Sequence, residues 1–161
     1  MTEHLLSLVR GRQGHFRLES GHHGDRRFQL ETLCLHSREI RLAARPAAQL
    51  VQHKVEVVCG LLVEGAFVAL LVSLELGCEF AYAERFADPT REGLFPVEYC
   101  HPKALQPAVK GKRVAIVNDV INAGSAVRGT FFDLQALGAG VVAIGALLAL
   151  GEPTERTKRC G

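Results

Sequence analysis

Apolar and polar residues alternate in two stretches near the start of the chain, HFRLES (15–20) and DRRFQLETLCL (25–35), with Gly21 and Gly24 between them. A period of two predicts a hairpin-like pair of strands. Ahead of them, Leu5, Leu6, Leu8 and Val9 give a short helix one apolar stripe, and Gly11 is placed to end it. Residues 37–53 carry a helical pattern interrupted by Pro46. The regular part is expected to begin at that proline, where a missing N–H costs nothing.

From residue 55 the pattern changes to alternating strands and helices. VEVVCG (55–60) is a short apolar strand, EGAFVALLVSLEL (64–76) a nearly all-apolar helix stopped by Gly77, and EFAYAER (79–85) a second strand. A polar, proline-punctuated connection (91–111) with room for a hairpin arm leads to the strand KRVAIVND (112–119). The next helix places Val127, Phe131, Leu134 and Leu137 on one face and ends at Gly138, before the last strand GVVAIGALLAL (140–150). This rhythm predicts an α/β fold: a central, mostly parallel sheet flanked by helices, preceded by a small strand-rich hood. Residues 1–161 are expected to form one domain, with helix and hood over about 1–35, the core over 46–150 and a frayed tail over 151–161.

Composition narrows the class without naming a chemistry. Apolar residues make up 48% and charged residues 22%, as in a globular protein, and the net charge of +2 is too small to imply nucleic acid. Arg10, Arg12, Arg17, Arg26 and Arg27 are interleaved with Glu19, Asp25 and Glu31, the pattern of a solvated face partly lining an anion site. The longest apolar run is too short to span a bilayer and contains Glu75, and Glu3 argues against a secretory signal. Five scattered cysteines without a C-x-x-C pair read as reduced core thiols of a cytoplasmic protein. Adjacent His22 and His23 lack further clustered ligands and are not read as a metal site. Phe131 and Phe132 read as core or dimer packing.

The segment VAIVNDVINAGSAVRG (114–129) carries the most chemistry. Ligands of open parallel sheets bind at the carboxyl ends of the strands. With Val117 as the last buried residue, Asn118 and Asp119 are expected to emerge at that edge. Residues 122–126 turn into a helix, and NAGSA offers backbone N–H groups unobstructed by large side chains, a cradle suited to a phosphate. Asn122 and Ser125 add side-chain donors, and Asp119 lies about one sugar length away, placed for ribose hydroxyls or a metal-bound water. The competing reading is a plain strand–turn–helix corner capped by Asp119. No G-x-G-x-x-G follows a strand, which disfavours a dinucleotide fold.

NDVINAGSA (118–126) resembles the 5-phosphoribosyl-1-pyrophosphate (PRPP) motif of type I phosphoribosyltransferases, and most of all the DDVITAGTA of orotate phosphoribosyltransferases. In the same order, GHFRLESGHHGDRRF (14–28) is similar to that family's base-contacting segment, VVCGLLVEGAFVA (57–69) to its pyrophosphate loop and helix, and FAYAER (80–85) to the strand before its catalytic loop. The likeness spans roughly residues 14–150. It implies PRPP-dependent transfer to a base, orotate first, with Mg²⁺ carried mainly by PRPP and no assured protein ligand. It assigns Asp119 and Asn118 to the ribose, and Asn122, Ala123, Gly124, Ser125 and Ala126 to the 5′-phosphate. Leu62, Val63, Glu64, Gly65 and Arg91 fall at pyrophosphate, Arg85 among the catalytic cations, and Arg27 and Phe28 at the base. A homodimer with no nucleic-acid or membrane partner is the implied assembly.

The chain departs from that pattern at four positions. Asn118 stands for the first acid, Asn122 for a threonine, Glu64 for a glycine or lysine, and Phe86 for a loop lysine. Unit charges about 4 Å apart interact by about 4 kcal/mol at an effective dielectric of about 20, so Glu64 must turn away, pair with a base or act through a metal. These departures keep open a second reading, a PRPP- or nucleotide-binding regulatory module with weakened turnover.

Overall fold

In a computed structural model the structure describes residues 10–17, 23–44, 49–50, 52–87, 97–121 and 124–149. The expected first helix and the tail lie outside them. Arg10–Arg17 (β1) and His23–Gln29 (β2) pair antiparallel as the hood, with a register shift between Gln13 and Phe16. The alternation in 25–35 suggests a strand to the end, but Leu30–Leu35 winds into a 3-10 helix. The next helix is Ser37–Ala44 (α1), so it precedes Pro46 instead of starting there. Proline disfavours helical geometry in the residue before it, and Ile40, 3% exposed, anchors the earlier segment.

The main sheet runs β5-β4-β3-β6-β7. Its strands are Val57–Leu61 (β3), Glu79–Ala87 (β4), Val97–Cys100 (β5), Arg113–Ile121 (β6) and Gly140–Ala149 (β7). β3 pairs parallel with β4 and β6, β6 pairs parallel with β7, and only the edge strand β5 runs antiparallel, against β4. The connecting helices are Glu64–Leu76 (α2), the one-turn Gln106–Val109 (α3) and Ser125–Ala136 (α4).

Alternation along β3 decides which helix covers which face. Val57, Cys59 and Leu61 pack with Ile116, Val127 and Leu134 on the α4 side. Val58 packs with Val117, Val68, Ala69, Val72 and Ile40 on the side of α1 and α2. Both faces of the central strands are therefore apolar, as a parallel sheet with two helical layers requires. Gly77 ends α2 at φ 65°, a left-handed position that glycine takes without a Cβ penalty. No helix among the described residues is long and apolar enough to cross a membrane.

Candidate functional site

β6 extends past Asn118 and Asp119 to Ile121, so Val117 is not the last buried residue. Asn118 is 8% and Asp119 7% exposed, which corrects the expectation that both emerge from the sheet edge. Pairing with β7 through Asn118–Ala146 and Val120–Leu148 carries the strand beyond them. The Asn118 amide donates to the Val120 carbonyl at 2.7 Å. Its Oδ1 lies so close to Gly65 that a Cβ there would collide with it. Burial pushes the Asp119 carboxyl up to about 6, opposed by backbone hydrogen bonds at Val120 and Asp119 and reinforced by the charges of Glu64 and Glu31. Asp119 thus faces an acidic environment at the strand end.

The loop after β3 lies beside this pair. The Leu62 N–H donates to the Ala83 carbonyl at 3.0 Å, and the Leu62–Val63 peptide is cis. Val63 is exposed, Glu64 opens the first turn of α2 half-buried, and Gly65 is buried against Asn118. A Cβ on Gly60 would stand 2.6 Å from the Ala66 Cα and 2.7 Å from the Ala69 Cβ, so glycine there lets α2 lie directly on the sheet. No side chain caps the N-terminus of α2. The Ala66 N–H closes back on the Val63 carbonyl at 3.2 Å, and the Glu64 carboxylate stands at the same helix end, where it competes with any anion for the helix dipole.

α4 starts from Gly124 at φ 73°, and its N-cap also makes no side-chain hydrogen bond. Gly124, Ser125 and Ala126 are half-buried, and the Arg128 N–H closes the first turn on the Gly124 carbonyl at 2.9 Å. Asn122 and Ala123 lie outside the described residues, as does Arg91. Arg85 sits exposed on β4 opposite Tyr99 of β5. In the hood, Arg27 pairs through its backbone with Arg12, and half-buried Phe28 packs at the edge of the core on the α2 side. The structure therefore brings Asn118, Asp119, Glu64 and Gly65 together, while Arg27 and Phe28 belong to the separate two-stranded hood. Glu31, read from the sequence only as part of a solvated charged face, sits in the 3-10 turn after β2, and its charge reaches Asp119.

A second polar group escaped sequence reading altogether. His101 is 3% exposed; its Nδ1 lies 2.6 Å from Asp133 Oδ2 and its Nε2 3.1 Å from Cys59 Sγ. These residues are 42 and 32 positions apart in the chain, so no local spacing announces them. Of the adjacent His22 and His23, not read as a metal site, His22 lies outside the described residues, and His23 Nδ1 lies 2.6 Å from His15 Nε2 across the hood. Among the described residues, no three His, Cys, Asp or Glu side chains gather as a metal site.

No family model matches the chain. Similarity to individual proteins is clearer. The chain is 32% identical over 136 residues to an orotate phosphoribosyltransferase of Pelotomaculum thermopropionicum, covering 84% of this chain and 66% of that protein. It is 30% identical over 156 residues to the orotate phosphoribosyltransferase of Novosphingobium aromaticivorans, covering 92% and 75%. The chain belongs to the orotate phosphoribosyltransferase family. Its fold is the phosphoribosyltransferase fold: the crystal structure of orotate phosphoribosyltransferase from Aeropyrum pernix superposes with a TM-score of 0.63 at 18% identity, over 92% of this chain and 93% of that one. The chain spans about two thirds of the length of the first curated relatives, 66% in each of two cases. In this chain Asn118 precedes Asp119 at the end of β6, and the charge of Glu64 acts on that carboxylate.

Proposed function

We propose that the chain transfers a phosphoribosyl group from PRPP to a pyrimidine base, with orotate plus PRPP giving orotidine 5′-phosphate and pyrophosphate. The observation that carries this reading is one buried carboxylate, Asp119, at the end of β6, together with α2 and α4, two helices that begin without side-chain caps. A doubly anionic ligand with a sugar between its charged ends matches that layout. In this reading residues 122–126 hold the 5′-phosphate, Leu62, Val63, Glu64 and Gly65 face pyrophosphate, and Arg85 and Arg91 neutralise it. Arg27 and Phe28 contact the base.

The transition state of such a displacement is a cationic sugar leaving an anionic pyrophosphate, so placed charges rather than a nucleophile lower the barrier. Asp119 supplies the negative charge beside the sugar, and Asn118 offers hydrogen bonds without charge. Mg²⁺ fits the donor set: burial, and to a lesser degree the Glu64 charge, makes an ionised Asp119 costly, and a divalent cation nearby removes that cost. When bound with PRPP it would neutralise phosphate oxygens; Asp119 and Glu64 are the residues that would face it. A cytoplasmic homodimer accompanies the reading. Val63, Phe67, Leu70 and Leu74 leave an apolar stripe along α2, 56%, 48%, 40% and 69% exposed, which supports association through that helix.

The test mixes purified protein with Mg-PRPP and orotate and follows pyrophosphate release and PRPP binding in parallel. Turnover that vanishes in Asp119→Asn is the expected result; absence of PRPP binding overturns the reading. Asn118, Glu64 and exposed Phe86 favour one alternative, a PRPP-binding regulatory module on the same fold, for which the same assay gives binding without turnover.

A further inference from the structure

Cys59, His101 and Asp133 form a continuous buried chain. The His101 side chain is 0% exposed and that of Asp133 21%. Asp133 Oδ2 accepts twice from the same residue, from the His101 backbone N–H at 2.8 Å and from Nδ1 at 2.6 Å. A carboxylate only accepts, so Nδ1 carries a proton. Burial, and then the Asp133 charge, pushes the Cys59 thiol far above its ordinary range, so it stays S–H; Nε2 at 3.1 Å is its nearer acceptor and the Gly60 carbonyl at 3.7 Å the farther one. Gln106 further fixes the turn by donating to the His101 carbonyl at 3.2 Å. The order of groups is that of a nucleophilic triad, yet Cys59 is 0% exposed and reaches no substrate.

What the chain joins gives it a role. Cys59 stands in β3, two residues before the strand ends at Leu61 and the Leu62–Gly65 segment begins. Asp133 stands in α4 about two turns beyond Ser125, where the helix starts from its N-cap Gly124. His101 directly follows β5, which pairs with β4 opposite Arg85. We infer that His101 is a positioning residue: through Asp133 and Cys59 it holds the phosphate turn, the pyrophosphate loop and the cation-bearing β4–β5 edge at the spacing that one PRPP molecule must span. This role rests on the PRPP reading proposed above.

A ligand touching both ends benefits from the fixed distance between them, whereas each end alone does not. The experiment therefore measures, by calorimetry with Mg²⁺, the affinities of PRPP, ribose 5-phosphate and inorganic pyrophosphate for the wild-type chain and for His101→Asn, Cys59→Ala and Cys59→Ser. Thermal melts establish the folded fraction of each protein. His101→Asn keeps a donor to Asp133 and loses the thiol. Cys59→Ala, the milder change, leaves Nε2 without its donor if His101→Asn fails to fold. The expected result is about a tenfold loss of PRPP affinity in His101→Asn and about threefold in Cys59→Ala, with either half-ligand within about twofold of wild type. Cys59→Ser, which retains a donor, should restore PRPP affinity to within about twofold. Folded Cys59→Ala or His101→Asn binding PRPP as wild type does overturns the positioning role while leaving the functional reading intact. Equal losses for PRPP and both halves also overturn it, since that is the signature of general destabilisation. A wild-type chain that binds none of the three ligands overturns the PRPP reading itself, and this role with it.

Discussion

The Asn118 amide occupies the space beside Gly65 that any side chain at position 65 would need, and it is held there by its bond to the Val120 carbonyl. The loop after β3 and the end of β6 thereby pack with only the Asn118 side chain at their contact. Gly65→Ala should displace Asn118 and lower stability by about 1–3 kcal/mol, the usual cost of overpacking. Gly60→Ala drives a Cβ against the backbone of α2 and should cost more than Gly65→Ala, because backbone cannot rotate away. Denaturant titrations of the two variants give the comparison.

Asp119 carries an opposite prediction for stability and for binding. Its folded-state value of about 6 lies above that of an unfolded aspartate, so the folded chain binds the extra proton between the two values. Its contribution to stability is fully present below the unfolded value, near pH 4, and is lost as pH rises through about 6. Asp119→Asn should therefore stabilise the protein at pH 8, by on the order of 2–3 kcal/mol relative to its effect at pH 4, while weakening PRPP binding about ten- to a hundredfold. Melts at both pH values, run beside PRPP titrations, separate the two effects. A gain over wild type no larger at pH 8 than at pH 4 would contradict the burial argument.

Restoring the acid at position 118 should not be neutral. An ionised aspartate there cannot donate to the Val120 carbonyl and adds a second buried charge next to Asp119. Asn118→Asp is expected to lower the melting temperature at pH 8, and Mg²⁺ with PRPP to recover the loss. If Mg-PRPP turnover also rises strongly, the missing acid limits catalysis.

Glu64 contributes to holding the Asp119 proton. Glu64→Gln should bring the Asp119 titration down and tighten pyrophosphate binding when Mg²⁺ is absent. With Mg²⁺ present the gain should shrink or reverse, because a cation lets both carboxylates act favourably. Calorimetry with and without the metal reads this directly, alongside carboxyl titration by NMR.

The apolar stripe on α2 predicts association. Replacing Phe67 and Leu74 by aspartate should shift a dimer toward monomer in light scattering, leaving the fold intact since both side chains are exposed. A wild-type chain that is monomeric at high concentration would remove the stripe's role.

Much of this molecule is determined by the sequence alone. The apolar segments of β3, β6 and β7 and the nearly all-apolar α2 are local patterns with short-range causes, and Gly77 and Gly138 mark helix ends because only glycine takes the left-handed turn without penalty. The order of motifs ending in NDVINAGSA carried the family for the same reason. Tertiary structure decided what depends on neighbours: that α1 precedes Pro46, that residues 30–35 wind instead of extending, and that β6 continues past Asp119 because β7 pairs with it. It also decided that Gly65 lies under Asn118, and that Cys59, His101 and Asp133 meet in the core. Strand length, burial of a carboxylate and hydrogen bonds between distant side chains are properties of packing. No window of sequence contains both partners.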